Sequence, residues 1–555
     1  MATKNFFNNQ EIVIPGAYGQ IKSGINNPAL NLAFGNLLVL DTGSGAGFGG
    51  GSGVAGALSS GVDTAYTFNN IRDFQSFVGG GLWWLLAKPL FAPANGVNGI
   101  NSITYIRAAT TAAATITNTW TGGGANGGSI AINPKAEGLA GNGVEYNSTT
   151  LIQGFATRMV AGTIDTAKFV LEFYRGNYKG LDTSVSTGVL TGEAYDNVPD
   201  SEAGSDLLAK SLEFNNIQEL IDWTVEDADF NEYFAVSGTP TVSGTGAVDS
   251  DDLAASAIIG NVLAVGGTEA FSTADLNTAI DAIKANNYDF ILADDWGDDA
   301  YSTENVAILA YISSEAKVKP DLYVGGGIDA TKWTQANGSI PSALSLNSQY
   351  ATIVHGGVGV PVNRGNGSKD YESIYHAAAA LGREAGLAPQ VPMTFKHISI
   401  GKVLHSLDEN DVIKGLDAGV LMTKIDNNSF EFVKGINTLQ KNDFLVNSDG
   451  STHSKQLRRI VRQINKELTV NIKNQLLKQE VGPNRNTVSS VDVEQFVKGY
   501  LQNKEAQDTS DNLIISFSDV VVTVSGDAYN VTYSFTPNFE VSFIFTTGFI
   551  VDPSV

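Results

Sequence analysis

The sequence predicts a multi-domain chain of α/β plus β class, with an extended arm at each terminus. Three observations carry this. Apolar runs alternate with amphipathic helical segments between residues 236 and 395, the rhythm of a largely parallel sheet covered by helices. Short strands separated by turn residues fill 119–235, as in a small β-sandwich inserted into the first domain. Each terminus carries an apolar, strand-patterned segment with no obvious partner nearby.

At 555 residues, with 43% hydrophobic content, the chain has enough apolar mass for several cores. Lys plus Arg number 34 against 58 Asp plus Glu, a formal net charge of −24. That argues against direct nucleic-acid binding, which needs clustered positive charge, and suits a crowded assembly that must stay soluble as a free subunit. There is no cysteine, which excludes disulfides, thiolate catalysis and cysteine-based zinc sites. The N-terminus lacks a charged-then-apolar leader pattern. Leu82 to Phe91 is apolar but short and interrupted by Lys88-Pro89, so no membrane insertion is expected.

Residues 1–30 read as an extended arm. Glu11-Ile12-Val13-Ile14 closes on the turn Pro15-Gly16, followed by Ala17-Tyr18. Asn31 to Leu40 is a buried strand leading into a Gly-rich loop. Tyr66 to Val78 is a strand running into a short helix, and Ile103 to Arg107 is a further strand. Ile130 to Ile132, Gly143 to Tyr146 and Lys168 to Tyr174 are strands of the insert. Gly238 to Asp252 is a polar loop. Helices are expected at Asn216 to Asp222, Thr273 to Ala285, Asn305 to Ser314 and Asp370 to Ala385. Strands at Tyr288 to Ala293 and Leu322 to Val324 stand between them. An α+β domain covers 396–536, with helices at Lys455 to Lys478 and Val491 to Leu501 and a closing hairpin turned at Gly526-Asp527. The last segment, 537–555, puts Phe539, Val541, Phe543 and Phe545 on one face of a strand. Terminal strands fray unless they find a sheet edge, in their own chain or in a neighbour's.

Candidate chemistry is sparse. Leu37 to Ser44 reads LLVLDTGS, like the loop of an aspartic protease, but no second Asp-Ser/Thr-Gly exists to complete a carboxylate pair. Gly45, Gly47 and Gly50 fit G-x-G-x-x-G, yet more glycines follow where a helix should start. Gly401-Lys402 lacks the Ser/Thr of a phosphate loop. Asp294, Asp295, Asp298 and Asp299 surround Trp296 beyond a strand end, and a solvated acidic loop is the plainer account than a metal site. His355, His376, His397, His405 and His453 show no paired spacing and read as lone polar or capping residues. No catalytic residue, cofactor or metal is assigned. The long helix is more informative. Leu457, Ile460, Val461, Ile464, Leu468 and Ile472 share one face, and Lys455, Arg459, Arg462, Lys466 and Lys473 stripe the other. That stripe is either a solvated face or a docking surface for an acidic protein.

Taken in order, these features resemble the contractile tail sheath proteins of bacteriophages and related tailocins. The residues are Pro15-Gly16-Ala17-Tyr18, the strand at Leu37 to Leu40, the helix ending at Phe77, Tyr105 to Ala108, Lys135 to Val144, Val433 to Leu439 and the Arg458 to Leu468 helix. The resemblance implies a subtilisin-like but non-catalytic α/β core, built from 31–118 and 236–395. It implies an outward-facing inserted domain at 119–235 and a tube-proximal domain at 396–536. The arms, through Ile12, Val13, Ile14, Tyr18, Phe539, Val541, Phe543 and Phe545, would add strands to neighbouring subunits. It also implies partners: further copies in a six-fold helical polymer, the tail tube protein, and baseplate and tail terminator proteins. The site would be the virion tail, assembled in the host cytoplasm.

Overall fold

The computed structural model describes residues 5–7, 10–12, 35–41, 65–78, 81–112, 115–120, 127–134, 144–146, 150–153, 155–161, 164, 168–176, 205–214, 217–243, 261–263, 268–284, 286–293, 302–314, 319–361, 368–426, 429–440, 451–472, 488–505, 512–525 and 528–538. The chain divides into two compact units. The larger comprises residues 35–387 and 393–454; the C-terminal unit comprises 1–34, 388–392 and 455–555.

The larger unit is built on a seven-stranded sheet. Its order is Val420–Leu421, Ala351–Val354, Asp321–Gly325, Phe290–Ala293, Asn36–Asp41, Ser102–Arg107 and Ala65–Phe68. Every neighbouring pair is parallel except the last. The strands are apolar over most of their length because helices cover the sheet and leave little of it to water. Leu38, Leu40, Ile106, Ile291, Leu322 and Ile353 pack with Leu276 and Ile280 of the helix Thr273–Ile283 and Ile308 and Ile312 of Thr303–Ser314. Ser272 caps the first of these helices by accepting from the Asp275 N–H. The helix Ser373–Ala385 is buried throughout, and its alanines and Gly382 let it approach Gly81–Phe91 closely. A Cβ at Gly382 would collide with the Pro89 and Leu90 carbonyls.

The insert leaves and rejoins this core through one antiparallel pair, Ala109–Ala112 with Thr268–Phe271. It holds a three-stranded sheet of Ile116–Trp120, Gly127–Pro134 and Phe234–Ser243. A four-stranded sheet follows, of Ser205–Lys210, Phe169–Gly176, Phe155–Ala161 and Asn261–Leu263. Two helices, Ile217–Glu226 and Ala228–Tyr233, join Ile130, Ile132, Phe173 and Phe234 in its core. Val236 pairs with Ile132 and the strand runs on to Ser243, so part of the expected polar loop is sheet.

Val420–Leu421 joins the seven-stranded sheet beside Ala351–Val354, which keeps that stretch with the larger unit. The C-terminal unit therefore resumes at Lys455. It packs Lys455–Ile472 and Ser490–Glu505 against a hairpin of Ile514–Ser525 and Ala528–Pro537, around Ile464, Leu468, Val497, Leu501 and Ile514. The first strand of the hairpin runs continuously through two bulges. No helix among the described residues is long and apolar enough to cross a membrane.

Candidate functional site

The basic stripe of Lys455–Ile472 is not an exposed face in the C-terminal unit. Lys455, Arg459 and Arg462 are buried, at 2%, 0% and 5% exposure. Lys466 is half-buried, and Lys473 lies outside the described residues. Two acceptors for the polar side of the helix come from one short segment. Arg459 Nη2 donates to the Val391 carbonyl and Gln456 Nε2 to the Gln390 carbonyl at 2.6 Å, both from the segment 388–392. Long basic side chains bury their stems readily when the head group finds an acceptor. Periodicity locates the apolar face of a helix; it says nothing of what covers the other.

Glu467, on the same helix, is the hub between the two helices. It accepts from Tyr500 Oη at 2.8 Å, from Gln463 Nε2 at 2.5 Å, and pairs with Lys504 Nζ at 2.8 Å. Burial, then the Glu467 charge, pushes the Tyr500 hydroxyl up, so it stays a donor. The hairpin packs Phe517, Val522, Val531 and Phe535 inward and leaves Val521 half exposed. Its longer strand is bulged between Ile514 and Ser516 and between Ser518 and Val521, where Asp519 adopts a φ of 53°. Among the described residues no third strand pairs with either edge. Open edges are templates for strand addition.

Of the expected arm residues, Ile12 lies in Gln10–Ile12, which pairs with Asn5–Phe7 in the register Asn5↔Ile12. Val13, Ile14, Tyr18, Phe539, Val541, Phe543 and Phe545 lie outside the described residues.

In the larger unit, Asp41 ends a central strand and is fully buried. It accepts from the Tyr105 hydroxyl and faces Arg107 Nε at 3.9 Å. Burial, then the Asp41 charge, raises the Tyr105 hydroxyl well above its ordinary range. This is an internal ion pair, and the protease-like reading of the loop gains no partner carboxylate from it. Asp294, Asp295, Asp298 and Asp299 and the glycines at 45, 47 and 50 lie outside the described residues. Among the described residues no group of three or more acidic or histidine side chains could hold a metal.

The histidines give the unexpected result. His355, at the carboxyl end of Ala351–Val354, places Nδ1 2.7 Å from Ser339 Oγ and Nε2 2.7 Å from His405 Nδ1. Ser339 opens the helix Ser339–Leu346 and accepts from the Gly327 N–H at 2.8 Å. His405 Nε2 lies 4.0 Å from Asp411 Oδ2. His376 faces the Gly356 carbonyl through Nδ1 at 3.0 Å. Trp333 packs on both His355 and His405, with ring centroids 4.3 and 5.9 Å away. The tautomers follow from Asp411. A carboxylate beside His405 Nε2 puts the proton there and leaves Nδ1 to accept from His355 Nε2–H. His355 Nδ1 then accepts from the Ser339 hydroxyl. Burial lowers His355 to about 3, helped by His405 and His376, and burial lowers His376 to about 4. A serine donating to a histidine is the start of a nucleophilic site. Here Ser339 is 0% and His355 2% exposed, which leaves substrate no access. The residues come from positions 339 to 411, so no linear spacing could have revealed the cluster.

No protein-family model and no curated protein matches the sequence. Solved structures do. A sheath tail protein from Desulfitobacterium hafniense is 12% identical, over 94% of this chain and 99% of its own, with a TM-score of 0.51. The chain has the tail sheath fold. A sheath tail protein from Listeria innocua is 14% identical over 91% of this chain and 96% of its own, with a TM-score of 0.47. The contracted helical sheath of the anti-feeding prophage is 12% identical over 51% of this chain and 78% of its own, with a TM-score of 0.36.

Proposed function

We propose that the chain is the structural subunit of a contractile tail sheath. It polymerises as stacked six-fold rings around a tail tube and contracts to drive the tube through a host envelope. It does so mechanically, without catalysis. The observation that carries this is the tail sheath fold, shared across 94% of this chain and 99% of the Desulfitobacterium protein. The open-edged C-terminal hairpin adds to it, because a sheath subunit must accept strands from its neighbours. In this reading the α/β core is subtilisin-like in topology alone, and a fold likeness licenses no activity. The C-terminal unit lies next to the tube, and the insert faces outward. Ile12, Val13, Ile14 and Tyr18 at one end, and Phe539, Val541, Phe543 and Phe545 at the other, complete the hairpin sheets of adjoining subunits. Roughly 4–6 backbone hydrogen bonds per arm, at about 0.5–1.5 kcal/mol each, would keep the links paired while rigid domains repack. Baseplate and terminator proteins cap the polymer, which sits in the virion tail after assembly in the host cytoplasm.

Electron microscopy of the purified chain tests this. Tubes are expected, and flat sheets or closed shells would point instead to another kind of lattice. Deleting residues 1–20 or 537–555 should leave soluble subunits that no longer polymerise. If both truncations still form tubes, the arms do not link the subunits.

A further inference from the structure

We propose that Ser339, His355 and His405 form an acid-weakened latch, which holds the 327–346 segment and the 404–411 loop against the carboxyl ends of the central strands and opens more readily in mildly acidic solution. The three side chains come from three separate stretches of chain, joined by two hydrogen bonds of 2.7 Å inside a buried cluster. Backbone links tie the same corner, from the Gly356 N–H to the Gly327 carbonyl at 2.9 Å, the Gly357 N–H to the Ile328 carbonyl at 2.7 Å and the Gly326 N–H to the Val354 carbonyl at 2.8 Å, and the histidine bonds add its proton-sensitive part. Gly327 N–H is held by Ser339 Oγ, and Leu404 N–H by the Gly357 carbonyl. A Cβ at Gly326 would collide with Ser339 Oγ, and one at Gly357 with Leu404, so the corner closes only with these groups in contact.

The His355–His405 bond needs one lone pair. A proton on His355 goes to Nδ1, which then no longer accepts from the Ser339 hydroxyl, and it sets a charge inside the buried cluster. The surrounding charges do not rescue it fully. Asp411 faces His405 at 4.0 Å but also meets Lys414 Nζ at 3.9 Å. Asp329, which precedes the Trp333 helix, is occupied by Thr331 Oγ1 and the backbone N–H groups of Thr331 and Lys332. His376 on Ser373–Ala385 adds a third ring, and Lys402 across the sheet is exposed. His355 therefore stays neutral in the closed corner, lowered to about 3, while in the open form it returns to its ordinary 6.5. The sign follows. The open form binds more protons below 6.5, so opening is favoured as pH falls, about tenfold per unit for one histidine.

Backbone hydrogen exchange of the full chain, read by mass spectrometry at pH 7.5 and 5.5 and corrected for intrinsic rates, tests this. Protection of peptides covering 327–346 and 404–411 should drop about tenfold at pH 5.5. Peptides covering 155–176 in the insert should hold within twofold. In His355→Gln the pH step should vanish, while in Ser339→Ala protection falls at both pH values and the step remains. Equal protection at the two pH values, or an undiminished step in His355→Gln, would overturn the latch. Should the variants not fold, exchange at the histidine C2 position in the wild-type chain gives the His355 titration directly. A value near 6.5 there also overturns it.

Discussion

Replacing Phe173 by Ala should unfold the insert and leave the rest of the chain standing. Phe173 is fully buried and its ring meets Trp223 at 5.8 Å, Phe230 at 5.2 Å and Phe234 at 5.0 Å. Phe→Ala in a closed core costs about 3–5 kcal/mol. Three ring pairs, each worth about 0.5–1.5 kcal/mol, place this site towards the upper end. A loss of about 4 kcal/mol raises the unfolded fraction of the insert about a thousandfold. A domain at the lower end of ordinary stability, about 5 kcal/mol, would then be marginal. Hydrogen exchange of 155–161 and 169–176 against the central strands 290–293 and 321–325 measures it. Exchange should rise by orders of magnitude in the first pair and stay unchanged in the second. Polymerisation should survive, since the insert joins the core through a single two-stranded neck. Equal acceleration in the central strands would refute the reasoning, because it would make the insert part of one cooperative core.

Other outcomes follow from the same structure. Arg459→Glu should destabilise the C-terminal unit by about 3–5 kcal/mol, since it puts a carboxylate where a guanidinium donates to a carbonyl, whereas Lys466→Glu should be tolerated; hydrogen exchange over 490–505 separates the two. Glu467→Ala, which strands Tyr500 and Lys504, should cost about 2–3 kcal/mol and Glu467→Gln about half that, read by denaturant titration of the same peptides. Burial holds His376 near 4, so stability of the larger unit should fall as pH drops from about 6.5 towards 4. His376→Gln should flatten that slope between pH 7 and 5, and an unaltered slope would count against the assignment.

Much of this was legible in the sequence, for reasons that differ by element. The strands at Asn36–Asp41 and Ser102–Arg107 announce themselves because a strand covered on both faces must be apolar almost throughout. The helix Thr273–Ile283 was legible from its cap and its period. What failed was whatever depends on a distant partner. Val420–Leu421 is too short to read, and only its pairing with Ala351–Val354 shows it as part of the seven-stranded sheet. Arg459 and Arg462 looked solvated because charge is normally exposed, and Arg459 finds its acceptor at Val391, far away in sequence. His355 and His405 lie 50 positions apart and meet only through the fold.

The paired strands Ala109–Ala112 and Thr268–Phe271 bring the two ends of a long excursion side by side. A loop anchored in this way imposes little on its anchor. Its contents can lengthen, shrink or be exchanged wholesale while the ladder beneath keeps its register. Variation accumulated there costs the remaining molecule almost nothing, so a foreign domain grafted between residues 112 and 268 should be carried as a passenger.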